Sequence, residues 1–244
     1  MQGQRTGSMQ DSGMTRRIDA LVAAMTGSGG PGAAVAVACR GEPVYQGCFG
    51  LADVEWRQPV TPDTVFALAS LSKPLTHTSG IPNFLTLPGF RDGAAHLDHT
   101  PAQLMEVFAA LPLEFEPGTR YGYSNSGYRL LDIIIEKVTG APFGEVITER
   151  VFRPAGMTGA RLLTDRAVIP WQARGYELAT DGGLAAARHL SMTISGGAGG
   201  LAASLQDMLA FDRAMRGHAL ISPQDERQLH APTQLTSGRP EGTA

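Results

Sequence analysis

Residues 126–140, "SGYRLLDIIIEKVTG", carry the strongest helical pattern in the chain. Apolar positions recur there at helical spacing, and Gly140 supplies the residue type that ends such a run. Other segments are organised around this helix. Thr15 is a plausible N-cap for "RRIDALVAAM", which "TGSGGPG" terminates. "AAVAVACR" and "PVYQGCFG" read as two strands about a tight turn at "RGEP", followed by the extended link "LADVEWRQPVTPDTVF". Thr100 caps "PAQLMEVFAAL" with Pro101 at its first position. "PFGEVITERVF" predicts a short helix, and "SGGAGGLAASLQDMLAFDRAM" a glycine-rich turn and then a helix capped by Ser204 with Asp207 three later. Residues 1–14 read as a polar, loose tail and 15–244 as the folded domain. Several helices but few strands result, and a two-stranded hairpin is marginal alone.

A length of 244 residues suits one large domain, or a main domain with a subdomain. Hydrophobic residues at 43% and charged residues at 18% are ordinary for a globular protein. A net charge of −3 gives no reason to expect a nucleic-acid partner or a polybasic membrane patch. No apolar run is long enough to span a bilayer, and the N-terminus has no apolar core of signal-peptide length. The cytoplasm is therefore the expected compartment, with the periplasm as the alternative if a further segment precedes residue 1. Cys39 and Cys48 flank the hairpin turn. With that turn centred on Gly41 and Glu42, Cys39 faces Val44 and Cys48 lies well down the other strand, so two free thiols are expected.

Of the 20 basic residues only Lys73 and Lys137 are lysines, which makes a lysine at a motif position informative. Ser70 and Lys73 form a Ser-x-x-Lys pair. On a helix this spacing puts hydroxyl and amine on one face, about 5–6 Å apart at Cβ. A serine hydroxyl is a poor nucleophile until a neighbouring base takes its proton, and a lysine serves once its pKa is lowered. The bland alternative is an exposed lysine at a loop edge. Tyr123-Ser124-Asn125 stands just ahead of the strong helix. A tyrosine near an ammonium can be held as phenolate and share base duty, and an asparagine beside it can bond both a lysine and a substrate amide. Here the alternative is a helix cap at Ser124 or Asn125 with a packed tyrosine. The histidines are scattered: "HLDH" at 96–99 has loose metal spacing with no third ligand nearby, and His77 is expected to order its own turn. "SGGAGG" lacks the lysine of a phosphate loop, and no Gly-x-Ser-x-Gly elbow occurs.

"FALASLSK", "LTHTSGIPNF", "FEPGTRYGYSNSGYRLLDIIIEKVTG", "VFRPAGMTGA" and "GGAGGLAASLQDMLAF", in that order, resemble the serine β-lactamase-like proteins. The nearest branch is that of class C β-lactamases, D-alanyl-D-alanine carboxypeptidases and class VIII carboxylesterases. The resemblance covers roughly residues 15–244. It implies an α/β (α+β) fold of the β-lactamase/transpeptidase type, with an antiparallel sheet, here incomplete, flanked by helices, plus a helical subdomain. It implies Ser70 as acylated nucleophile, Lys73 as partner base, Tyr123 as general base and acid, and Asn125 as a substrate and lysine ligand. Neither metal nor cofactor is implied. A backbone oxyanion hole would include the Ser70 N–H.

Two departures accompany the resemblance. In the family a long buried helix continues from Ser-x-x-Lys, and a further segment precedes the "LTHTSG" turn. In this chain Lys73-Pro74-Leu75 leads straight into that turn, and proline pushes Lys73 toward extended dihedrals. The family's third motif, Lys-Thr-Gly or His-x-Gly on a strand, lies beyond the point where this sequence stops. Arg5-Thr6-Gly7 and Thr236-Ser237-Gly238 are poor substitutes. The expected function is a serine hydrolase forming an acyl-enzyme on small esters or amides, with β-lactams and D-Ala-D-Ala peptides among the candidates. The alternative is a truncated, catalytically impaired relative that acts at most by binding. An open sheet edge beside missing strands predicts low stability or self-association.

Overall fold

A computed structural model describes residues 12–27, 29–72 and 76–236. Helix α1 (Ser12–Thr26) begins three residues before the expected cap, so Thr15 lies inside it and 12–14 are helical rather than loose. Strands β1 (Ala33–Cys39) and β2 (Glu42–Phe49) form the expected antiparallel hairpin. Its turn is centred one residue earlier than expected, on Arg40 (φ 54°) and Gly41 (φ 83°). Two successive positive φ values are what a two-residue hairpin turn needs to match strand twist. Cys39 therefore pairs with Glu42 rather than Val44, and Cys48 with Ala34. Both thiols are free, Cys39 exposed and Cys48 buried.

Short strands that the sequence did not announce come next. β3 (Leu51–Asp53) pairs with β4 (Gln58–Pro59), and β5 (Phe66–Ala67) leads into the Ser70 turn. α2 (Pro101–Ala109) has the expected Thr100 cap, completed by Gln103 as a capping box. α3 (Asn125–Thr139) is capped by Ser124, whose Oγ accepts the Gly127 N–H at 3.1 Å, and ends at Gly140 with φ 71°. The expected single helix over 142–152 is instead α4 (Phe143–Ile147), a wider turn over Thr148–Phe152, and α5 (Arg153–Ala155). β6 (Arg161–Leu162), the hairpin β7 (Tyr176–Leu178) with β8 (Leu184–Ala186), and α6 (Met192–Ser195) follow. β9 (Leu201–Ala203), α7 (Leu205–Arg216) with its Ser204–Asp207 capping box, and α8 (Pro223–His230) complete the order.

The described strands make four small antiparallel sheets, the largest in the order β5-β9-β6. β9 is fully buried at the centre of that sheet. One apolar cluster joins α5, β9 and α7 through Ala155, Leu201 and Ala210, with Phe152 and Met157 at either end of α5. A second joins the turns of 84–96 to α2 and α6 through Phe84, Phe90, Leu104, Phe108 and Ile194. Burial of a side chain such as Phe84, 1% exposed, stabilises by about 1.5–3 kcal/mol. α3 touches α2, α4, α6 and the glycine turn of 196–198, which puts it between the clusters. No described helix is long and apolar enough to cross a membrane.

Candidate active site

Ser70 is placed by β5. After the β5–β9 pairing, the Leu68 N–H donates to Leu201 O at 2.8 Å, and the chain reverses at Ala69 with φ 46°. A left-handed φ at a residue other than glycine costs on the order of 1 kcal/mol and collects where the surroundings impose it. Ser70 then sits on a 3₁₀ turn, Ala69–Ser72. Its side chain is exposed. Lys73 lies outside the described residues, so the Ser-x-x-Lys half of the expected site is not among the contacts below.

Tyr123 is placed by the segment that follows residue 76. The Gly122 N–H donates to His77 O at 2.9 Å, Gly118 N–H to Thr78 O at 2.8 Å, and Glu114 N–H to Gly80 O at 2.8 Å. His77 does more than order its own turn. Its Nδ1 accepts the Ser124 N–H at 3.1 Å, and its ring lies 4.4 Å from the Tyr123 ring and 5.1 Å from Tyr128. An accepting Nδ1 assigns the proton of the neutral ring to Nε2. The result brings Tyr123 Oη to 2.6 Å from Ser70 Oγ. Two hydroxyls at that separation are hydrogen-bonded, with either oxygen as donor.

Asn125 opens α3 and is buried. Its Nδ2 donates to Asn83 Oδ1 at 3.0 Å, and next to it Ser126 Oγ accepts the Phe84 N–H at 2.9 Å. Asn83 was not singled out from the sequence. Its place one residue before a buried phenylalanine in "GIPNF" is the only local signal it carries. The Thr236 N–H donates to Gly118 O at 2.9 Å, so the chain's last described residue returns to the loop that leads to Tyr123. Residues 5–7 and 237–238 lie outside the described residues.

Below this surface, α3 buries an ion pair that sequence inspection passed over. Arg129 Nη1 donates to Asp132 Oδ2, and the Gly197 N–H donates to the same oxygen at 2.8 Å. Burial pushes the Asp132 carboxyl up to about 6, outweighing the attraction of Arg129 and the Gly197 hydrogen bond; Glu136 adds a smaller push the same way. Arg129 Nε has no hydrogen-bond partner among the described residues. The pair explains "SGGAGG". A Cβ on Gly196 (φ 43°) would overlap Arg129 Nη1, and one on Gly197 would overlap Asp132 Oδ1 and come within 2.8 Å of Phe143 Cζ. The remaining histidines of the opening half bond backbone carbonyl oxygens. His99 Nε2 is 2.8 Å from Ala94 O, and His96 Nδ1 is 2.5 Å from His189 O. Among the described residues no group of three or more His, Cys, Asp or Glu is arranged to hold a metal ion.

A serine hydroxyl on a strained turn, hydrogen-bonded to a tyrosine just before a long helix, sets the class: a β-lactamase/transpeptidase-like fold with a candidate acyl-transfer centre. The beta-lactamase family profile matches residues 18–76 and 75–244, and the chain belongs to that family. A D-aminopeptidase from Gluconobacter oxydans is 30% identical over 272 aligned positions, covering 95% of this chain and 51% of the relative. The octameric penicillin-binding protein homologue from Pyrococcus abyssi superposes with a TM-score of 0.74, at 24% identity over 92% of this chain and 61% of that one. The D-amino acid amidase from Ochrobactrum anthropi, complexed with D-phenylalanine, gives 0.73 at 22% identity over 87% and 73%. The chain spans about half the length of the curated relatives it matches. The family match breaks at residues 75–76, immediately after Lys73-Pro74, and the alignment to the first relative is longer than this whole chain. The relative thus carries internal residues that have no counterpart here, as the abrupt step from Ser-x-x-Lys to "LTHTSG" leads one to expect.

Proposed function

We propose that this chain is a serine hydrolase that cleaves small amides, and esters of similar size, through an acyl-enzyme on Ser70. The observation that carries the reading is the 2.6 Å contact between Ser70 Oγ and Tyr123 Oη. Ser70 Oγ attacks the carbonyl carbon while its proton passes to Tyr123 Oη, which must start as phenolate. The tetrahedral intermediate collapses as Tyr123 returns that proton to the leaving amine. Water then attacks the ester, again losing its proton to Tyr123, and Ser70 leaves reprotonated. Lys73 is proposed as the cation that favours the phenolate, and the Ser70 N–H as one oxyanion donor. The names of the relatives, D-aminopeptidase and D-amino acid amidase, favour amides of D-amino acids as first substrates to test. Hydrolysis of D-alanine and D-phenylalanine p-nitroanilides against their L forms, with Ser70→Ala as control, tests the reading. Release by wild type only, faster for the D form, supports it; no release from folded protein with any ester or amide overturns it.

A second reading is favoured by one observation, the break in the family match behind Lys73. On that reading the site binds a substrate-like ligand without turning it over. We also propose that the hairpin edges of β1 and β2, each paired on one side only among the described residues, promote self-association.

A further inference from the structure

We propose that Asp132 and Arg129 are positioning residues that hold the Ser70 turn in register with Tyr123; the inference rests on the hydrolase reading above. Both reacting oxygens are referenced to α3, by different routes. Tyr123 is two residues ahead of the helix and is tied to it through the Ser124 cap. Ser70 has no such covalent closeness. Its turn borders the 196–200 loop, where the Gly199 backbone lies against Ala69: a Cβ there would be 3.7 Å from the Ala69 carbonyl carbon. The Gly200 N–H closes that loop on Gly196 O at 2.7 Å, and Leu201 O takes the Leu68 N–H two residues before Ser70.

The loop in turn rests on the ion pair. The Gly197 N–H is bonded to Asp132 Oδ2 at 2.8 Å, and Arg129 Nη1 fills the space that Gly196 leaves by having no side chain. Burying a charge pair here is poor stabilisation, since desolvation of both ions offsets their attraction. In keeping with that offset, burial raises the Asp132 carboxyl despite the neighbouring Arg129. A hydrophobic pair would fill the volume at less cost, but it would remove the Asp132 oxygen that accepts the Gly197 N–H. The pair's distinctive contribution is geometric. It fixes the loop against α3, and the loop fixes Ala69.

Two neutral double variants separate positioning from stability. R129Q/D132N keeps an acceptor for Gly197, while R129M/D132L fills the space and removes the acceptor. Both are tested with a fluorophosphonate at pH 7.5, following the rate of mass gain, and by hydrogen exchange in peptides over 66–72, with unfolding midpoints measured alongside. R129Q/D132N is expected to label within ~3-fold of wild type. R129M/D132L is expected to label at least ~10-fold more slowly and to exchange faster over 66–72, despite an unfolding midpoint no lower than that of the first variant. If R129M/D132L does not fold, R129Q/D132A removes the same acceptor. Equal labelling rates, or rates that simply follow the unfolding midpoints, overturn the inference. If folded wild type takes no label, the hydrolase reading fails; exchange over 66–72 still decides the inference, and unchanged exchange in the variant lacking the acceptor sinks it.

Discussion

His77 Nδ1 accepts the backbone N–H of Ser124 at 3.1 Å while its ring lies 4.4 Å from that of Tyr123. One side chain from the turn after residue 76 thus fixes both the cap of α3 and the orientation of the candidate base. His77 also holds a left-handed φ of 53°. Asparagine tolerates that conformation and a β-branched residue does not. His77→Asn is therefore expected to cost about 1 kcal/mol, and His77→Val about 1–2 kcal/mol more. Urea unfolding of the two variants checks the order; equal stabilities would contradict it.

Tyr123→Phe removes the partner 2.6 Å from Ser70 but little buried area, since Tyr123 is 38% exposed. Its stability is expected to stay within about 0.5 kcal/mol of wild type. Amide hydrolysis or fluorophosphonate labelling is expected to fall ~100-fold, the scale of a lost proton acceptor. Parallel rate and melting measurements read both, and an unchanged rate would remove Tyr123 from the chemistry.

Gly196→Ala sets a Cβ into Arg129 Nη1 at a position with φ 43°, so overlap and strain add. The expected loss is about 3 kcal/mol or more. Gly182, with φ 80° but nothing within 4 Å, is the control: Gly182→Ala meets strain alone, about 1 kcal/mol. Unfolding midpoints that agree for the two would show that the Arg129 guanidinium does not occupy the space beside Gly196.

The Asp132 carboxyl titrates near 6 when folded against 3.8 for the ordinary group, so the folded protein takes up this proton first as pH falls. Stability contributed by Asp132 therefore rises as pH drops through 6, levels off below about 4, and is lost again on raising the pH. The swing is on the order of 2–3 kcal/mol. The comparison is with Asp132→Asn, which isolates this group. Wild type is expected to gain on the variant between pH 7 and pH 4.5. A difference in urea midpoint that stays constant across that range would contradict the buried, desolvated carboxyl.

Self-association through the hairpin edges predicts a sedimentation coefficient that rises with protein concentration in the micromolar range. A sharp unfolding transition of a strictly monomeric protein, well above room temperature, would contradict it.

The helices were legible because their signals are local. Thr100, Ser124, Ser204 and Gly140 are caps that act within one turn, and α2, α3 and α7 formed beside them. The β1–β2 hairpin was legible too, although its turn centres on Arg40 and Gly41, both at positive φ, one residue before the expected Gly41 and Glu42. β5, β6 and β9 were not legible. Each has two or three residues and exists only because distant parts of the chain pair. Of the candidate site, Ser70 and Tyr123 were named from motif chemistry, and the structure brings them together. The Asn125 Nδ2 donates to Asn83 Oδ1, a bond that no spacing announces. The Arg129–Asp132 pair hid inside a helix read for its apolar stripe, where two charges three residues apart on the buried side were the clue.

The most direct test of the central claim is the intact mass of the folded protein after incubation with a fluorophosphonate, read beside Ser70→Ala. A single stoichiometric adduct, mapped to Ser70 and absent from the variant, is the predicted result. No adduct on folded wild-type protein, or an adduct that persists in Ser70→Ala, would contradict it.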